Sequence, residues 1–246
     1  MNKVNSYPRA PITEALFDIQ VELPKKVTVA DLDRLSSEIS SDYPGKQARQ
    51  RFAGRFELKA SQGPVESIDL GIDGFLNWSS DKKQVVQFRL DGYTFSRVKP
   101  YIGWDEHFQE VVKNWNLYAK KLSPIRVKRV AVRFINIIEL PLKNPMLNEY
   151  FISFPRAPIK TSVLSNFFNR MEFFLSDFDA RATVTQTLAK SNSPTATPII
   201  LDLEVFREIS SQPDIKMLSE TFKVLRDIKN DIFQECLTQK TKDLFK

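Results

Sequence analysis

Apolar and polar residues alternate over residues 14–23. Ala15, Phe17, Ile19, Val21 and Leu23 take one parity; Glu14, Asp18, Gln20 and Glu22 take the other. A period of two predicts a half-buried strand, which Pro24 ends. Thr28 is placed to cap a helix from Val29 to about Ser41, with Leu32, Leu35 and Ile39 on one stripe. Alternation returns over residues 49–60. Residues 66–79 read as one bent strand or two short ones around Gly71 and Gly74, and residues 84–98 as further strand with Val86, Phe88 and Leu90 inward. Residues 104–122 change period: Trp104, Phe108, Val111, Trp115, Tyr118 and Leu122 follow helical spacing.

The longest β-branched apolar run, IRVKRVAVRFINIIELP, covers residues 125–141. A helix is expected over residues 162–175, from the spacing of Val163, Phe167, Met171 and Phe174. Strands are expected at 180–189 and 198–207, and a last helix from about Asp214 to Cys236. Aligning Phe17 with Phe134 places Glu22-Leu23-Pro24 on Glu139-Leu140-Pro141, and Leu203 and Val205 on Val86 and Phe88. The expected fold class is therefore α+β. Antiparallel meanders carry helices packed on one face, in pseudo-duplicated strand-helix-meander-helix halves (residues 1–124 and 125–246) of a single structural unit.

Composition narrows the chemistry. Cys236 is the only cysteine among 246 residues, so no internal disulfide forms, and no apolar leader or membrane-length run is visible. A cytoplasmic protein is the expectation. His107 is the only histidine, which removes most zinc and triad arrangements; it reads as a helix-face residue near Trp104. Glycine-rich nucleotide fingerprints are absent. No catalytic residue and no cofactor is assigned. The weak metal candidates are Asp69 with Asp73, and Asp202 with Glu204, each pair falling on one face of a strand.

The net charge of +6 draws attention to the basic residues. Arg49, Arg51 and Arg55 share one strand face, Arg89 and Arg97 lie in the same meander, and Lys128, Arg129 and Arg133 interrupt the long apolar run. Arg133 has apolar neighbours on both sides and reads as a buried arginine, needing an acid or an anion. With the strands adjacent, these residues make a basic stripe for nucleic acid or another anion. The competing reading is a salt-bridged sheet face.

Four segments carry a resemblance: Tyr7-Pro8 with Ala10-Pro11-Ile12 and Glu14-Ala15; Arg133 to Ile138 (RFINII); Leu201 to Phe206 (LDLEVF); and the tail from Ile232-Phe233 through Leu237-Thr238 to Lys242 and Phe245. In their order and spacing the chain resembles a sporadically distributed, uncharacterised prokaryotic family of this length with a Tyr-x-x-Ala-Pro-Ile-x-Glu-Ala start. The resemblance implies no activity. Its patchy distribution is associated with mobile or defence-island genes. The first expectation is a non-catalytic binding or partner protein of an anti-phage defence or toxin–antitoxin-type system, with an operon-encoded protein partner. Nucleic-acid or nucleotide binding through a basic sheet face and a Mg²⁺-dependent phosphate-processing enzyme stay open, as does homo-oligomerisation. A membrane partner is not expected.

Overall fold

The computed structural model describes residues 7–54, 67–141, 145–154, 165–190 and 195–246, with the backbone alone for 52–54 and 67–70. Along the chain run β1 (Ile12–Glu22), α1 (Val29–Glu38), β2 (Gly45–Gly54), β3 (Ser67–Trp78), β4 (Gln84–Arg89), β5 (Gly92–Val98) and α2 (Trp104–Leu122). They are followed by β6 (Arg126–Leu140), β7 (Phe168–Leu175), β8 (Ala180–Leu188), β9 (Thr197–Ser211), α3 (Ile215–Cys236) and α4 (Gln239–Asp243). Among the described residues the strands form one sheet in the order β2-β3-β4-β5-β1-β6-β9-β8-β7, antiparallel throughout.

The caps follow the sequence. Thr28 and Asp31 form a capping box at α1, and the Asp214 carboxylate accepts from the Lys216 and Met217 amides at α3. Lys120 and Lys121 sit in the last turn of α2, where the helix dipole favours cations.

All the helices among the described residues cover one face, which leaves the other free of described helices. Phe17 on β1 is fully buried and is the meeting point. Its ring lies 4.9 Å from Trp104 and 6.2 Å from Phe108 on α2, 5.8 Å from Phe222 on α3, and 6.4 Å from both Phe95 and Phe134 on the flanking strands. Leu32 and Leu35 of α1 join the same core. A second cluster under β6 and β9 gathers Ile138, Leu140, Leu201 and Leu203 with Phe233, Leu237 and Phe245. Cys236 belongs to it, and burial pushes its thiol up to about 11, as for a structural cysteine. None of the helices among the described residues is long and apolar enough to cross a membrane.

The fold class holds, with two corrections of detail. The helix expected over 162–175 is not one: residues 168–175 form β7, the outermost strand. Residues 162–164 lie outside the described residues. In FNRMEFFL the period of two wins because β8 supplies a partner for each position from Phe168 to Leu175. Next, Leu203 is not the counterpart of Val86. Leu203 faces Phe134 directly, as Phe95 faces Phe17, whereas Val86 lies one strand farther out. Duplication of the halves is thus not confirmed; five strands stand on one side of the β1–β6 contact and four on the other, counting β1 and β6 themselves. His107 lies on α2 near Trp104, as expected, on the face turned inward. It is 1% exposed, 4.7 Å from the Tyr101 ring. Burial and the nearby Arg97 bring its pKa down to about 4, the Gly103 carbonyl working the other way.

Lys229 on α3 is also buried, with its Nζ 4.0 Å from the centre of the Phe134 ring. Desolvation brings its pKa down to about 7; Arg226 adds to this and Asp227 opposes it. Between pH about 7 and about 10.5 the unfolded chain binds more protons at this position than the folded one, so stability rises with pH across that window. Lys229→Met is expected to be more stable than the wild type, most clearly below pH 7, with the gain shrinking towards pH 10; urea unfolding at several pH values measures this. Phe17→Ala is expected to cost about 3–5 kcal/mol in the same assay at neutral pH, because five aromatic neighbours surround the space it leaves.

Candidate functional site: the helix-free face of the sheet

The pleat that turns Phe17 towards the helices turns Asp18 the other way. Around Asp18 the helix-free face forms an open depression of about 260 Å³, lined by Leu16, Asp18, Gln20, Gln87, Arg89, Thr94, Arg129, Ala131, Arg133 and Glu204. The register makes this assembly. Gln20 faces Gly92 on one side and Arg129 on the other, and Gly92 in turn faces Arg89. The next row outward adds Gly74 and then Arg49. Arg49, Arg89 and Arg129 thus lie on one cross-strand row.

Ion pairs fill the depression. The Arg89 Nη2 donates to Asp18 Oδ1 at 2.8 Å and its Nε to Asp91 Oδ1 at 2.9 Å; its third contact is a hydrogen bond to the Thr94 hydroxyl. The Thr94 hydroxyl in turn donates to Asp18 Oδ1 at 2.7 Å. On the other side of Asp18, Arg129 Nη1 lies 3.6 Å from Oδ2, and Arg129 Nη2 donates to Glu204 Oε1 at 2.9 Å. The Arg129 guanidinium also stacks 4.0 Å from the Phe206 ring centre. A chain of alternating charge, Asp91–Arg89–Asp18–Arg129–Glu204, therefore runs from the β4–β5 turn across the five neighbouring strands β4, β5, β1, β6 and β9, with β5 contributing Thr94. Burial disfavours the Arg89 charge, but Asp18 and Asp91 overcome this and raise its pKa.

Gly92 makes room for this. A Cβ there would stand 2.3 Å from the Ile19 carbonyl oxygen and 2.8 Å from Arg89 Nη2. Only glycine lets β5 approach β1 while Arg89 reaches Asp18.

The arginines and lysine expected to form a stripe are placed as follows. Arg89, Arg129 and Arg133 come together in the depression. Arg49 donates to Asp73 at 2.8 Å beside it. Arg51 is exposed on β2, and Arg55 lies outside the described residues. Lys128 occupies the β6 bulge opposite Gln20 and Val21 and is exposed. Arg97 faces Ala15 and Gln84 in register, close enough to His107 to depress the imidazole, so it belongs to the helix side. Arg133 is not buried. Its side chain is 45% exposed, and it grips Asp202 with two nitrogens, Nε at 2.9 and 3.1 Å and Nη2 at 2.6 Å. That pair raises its pKa.

The carboxylates are engaged the same way. Asp202 and Glu204 each hold an arginine, and Asp73 holds Arg49. The Asp69 side chain lies outside the described residues. Among the described residues no group of three or more His, Cys, Asp or Glu converges as metal ligands. The residues not singled out from sequence are Asp18, Thr94 and Phe206. Their signal was present for Asp18, the polar position beside Phe17 in the strand that echoes β6.

Neither the protein-family models nor the curated proteins compared with this chain give a match.

Exposure ranks the pairs. Asp18→Ala strips the half-buried network of its central carboxylate and leaves Arg89, whose side chain is 10% exposed, with Asp91 alone. A loss of about 2–4 kcal/mol is expected. Arg133→Ala leaves Asp202, whose side chain is 14% exposed, without its bidentate partner, but Arg133 itself is half in water and solvent reaches the site, so a smaller cost of about 1–2 kcal/mol is expected. Chemical denaturation of the two variants side by side reads the difference.

Proposed function

We propose that this protein is a non-catalytic binding protein whose helix-free sheet face receives a partner protein. The observation that carries this reading is the alternating charge chain centred on Asp18. Three guanidiniums in the depression meet Asp18, Asp91, Asp202 and Glu204, so the local charge is close to balanced. A surface of this kind suits the mixed donors and acceptors of a protein partner. Its lining has neither histidine nor cysteine, and its carboxylates already hold arginines. A partner role in an anti-phage or toxin–antitoxin-type system extends this reading and rests on the family resemblance alone.

Nucleic acid is the weaker fit. A phosphate backbone is bound by cations free to release counterions, whereas Arg49, Arg89, Arg129 and Arg133 each have a carboxylate within hydrogen-bonding distance.

The test is affinity purification of the tagged chain, expressed at its natural level in its source cells, as wild type and as Arg133→Glu. Arg133 is half exposed, so the variant keeps its fold, which its thermal transition verifies. A stoichiometric partner is expected with the wild type, reduced at least ten-fold in the variant. The same partner at the same yield in both overturns the assignment of this face. Duplex DNA and RNA titrated at low and at moderate salt are expected to show no tight binding. Strong binding that weakens steeply with salt would replace the proposal with the nucleic-acid reading.

A further inference from the structure

The two edges of the sheet differ in character. β2, at one end, presents Lys46, Arg49 and Arg51, the charged dress that keeps an edge from pairing. β7, at the other end, has no lysine and no proline. It is instead the most apolar exposed segment described. Phe168 is 70% exposed, Phe174 62% and Phe173 44%. A strand whose outer backbone groups have no strand beside them among the described residues, carrying exposed phenylalanines, is a template for another strand.

Its sequence says which strand. On the helix-free face β7 shows Phe168, Arg170, Glu172 and Phe174. This row is a palindrome with the charge inverted. Take a second β7 running antiparallel with Met171 opposite Met171. Phe168 then stands opposite Phe174, and Arg170 opposite Glu172. The two-fold axis repeats both pairs. On the other face Asn169 stands opposite Phe173. Every pair joins residues of like parity, so the pleats match and both copies keep their cores on the same side. Shifting the register by two residues in either direction loses this. With Met171 opposite Asn169, Arg170 stands opposite Arg170; with Met171 opposite Phe173, Glu172 stands opposite Glu172.

We propose that the occupant of this edge is a second copy of the chain, joined through antiparallel β7–β7 pairing centred on Met171. The interface is isologous, and it joins two nine-stranded sheets into one continuous sheet across the two-fold axis. Charge complementarity selects the copy over a foreign strand: Arg170 and Glu172, 2.9 Å apart within one chain, exchange partners across the axis. Arg181 on β8, 5.7 Å from the Phe174 ring centre, backs the aromatic pair from within the same subunit. This interface is separate from the depression around Asp18, so either proposal stands without the other.

Light scattering coupled to size exclusion, over a dilution series, is expected to show the wild type moving from the 28.4 kDa chain mass to twice that mass as concentration rises. Arg170→Glu and Glu172→Arg each place like charges opposite one another twice per dimer, and each is expected to weaken self-association about ten-fold. Both side chains are more than half exposed, so both variants fold. Mixing the two single variants restores complementarity at both positions and is expected to restore the dimer as a heterodimer. The double charge exchange, Arg170→Glu with Glu172→Arg, is expected to restore self-association in one chain. A wild type that stays monomeric to its solubility limit overturns the proposal. So does a dimer indifferent to all the single reversals, or single variants whose mixture associates no better than either alone.

Discussion

Phe17 and Asp18 are consecutive, and the pleat sends them to opposite faces. One collects the rings of α2, α3 and the neighbouring strands; the other collects the guanidiniums of Arg89 and Arg129. Both assemblies depend on β1 holding its register between β5 and β6. A slip of one residue would put a carboxylate among aromatic rings and a phenylalanine among ions, at a cost no local adjustment could recover. Bulges between Ile12 and Glu14 and between Gln20 and Val21 bracket the segment in which that register is kept. The core and the candidate site are therefore one constraint seen from two sides.

The ion pairs do not all act alike. Arg89 and Asp18 are 10% and 19% exposed, and they share Thr94 and the backbone space that Gly92 provides. There desolvation is paid back only through several simultaneous contacts, so the geometry specifies the arrangement more than it adds stability. Arg133 and Asp202 are different. Their contact is bidentate but the guanidinium remains half in water, where an incoming group can reach it while it keeps Asp202. The depression thus has a rigid floor centred on Asp18 and an accessible rim at Arg133.

Much of this was legible in the sequence, and the failures have physical causes. Alternation in residues 14–23 and the stripe of residues 104–122 gave β1 and α2 because each element buries one face only. β7 misled because an edge strand buries little on either face. Its apolar residues then satisfied a helical spacing as well as a strand period, and only β8 decided between them. Arg133 read as buried because Val132 and Phe134 flank it on one face and Ala131, Ile135 and Ile137 on its own. The partners of the arginines were beyond reach. Asp18 meets Arg89 across 71 residues of sequence, and Arg133 meets Asp202 across 69. Periodicity sets a residue's face, while the row it occupies depends on strand order.

The segments that carry the family resemblance meet in space. Tyr7 packs 5.5 Å from Phe245 and hydrogen-bonds Gln234, and the Arg9 amide and guanidinium bind the last two carbonyls of the tail. Ala15 faces Phe134, and RFINII pairs with LDLEVF along β6 and β9. Their spacing is explained by strand pairing and by the clasp between the chain ends, without any reaction. Arg133, Asp202 and Glu204 are where two of these segments also reach the open face. The other groups of the depression, Arg89, Thr94 and Arg129, and the whole of β7 lie outside the four segments. A pattern that specifies packing is thus a guide to the fold, while what the molecule recognises is written in the residues between, where one face alternates charge and one edge mirrors itself.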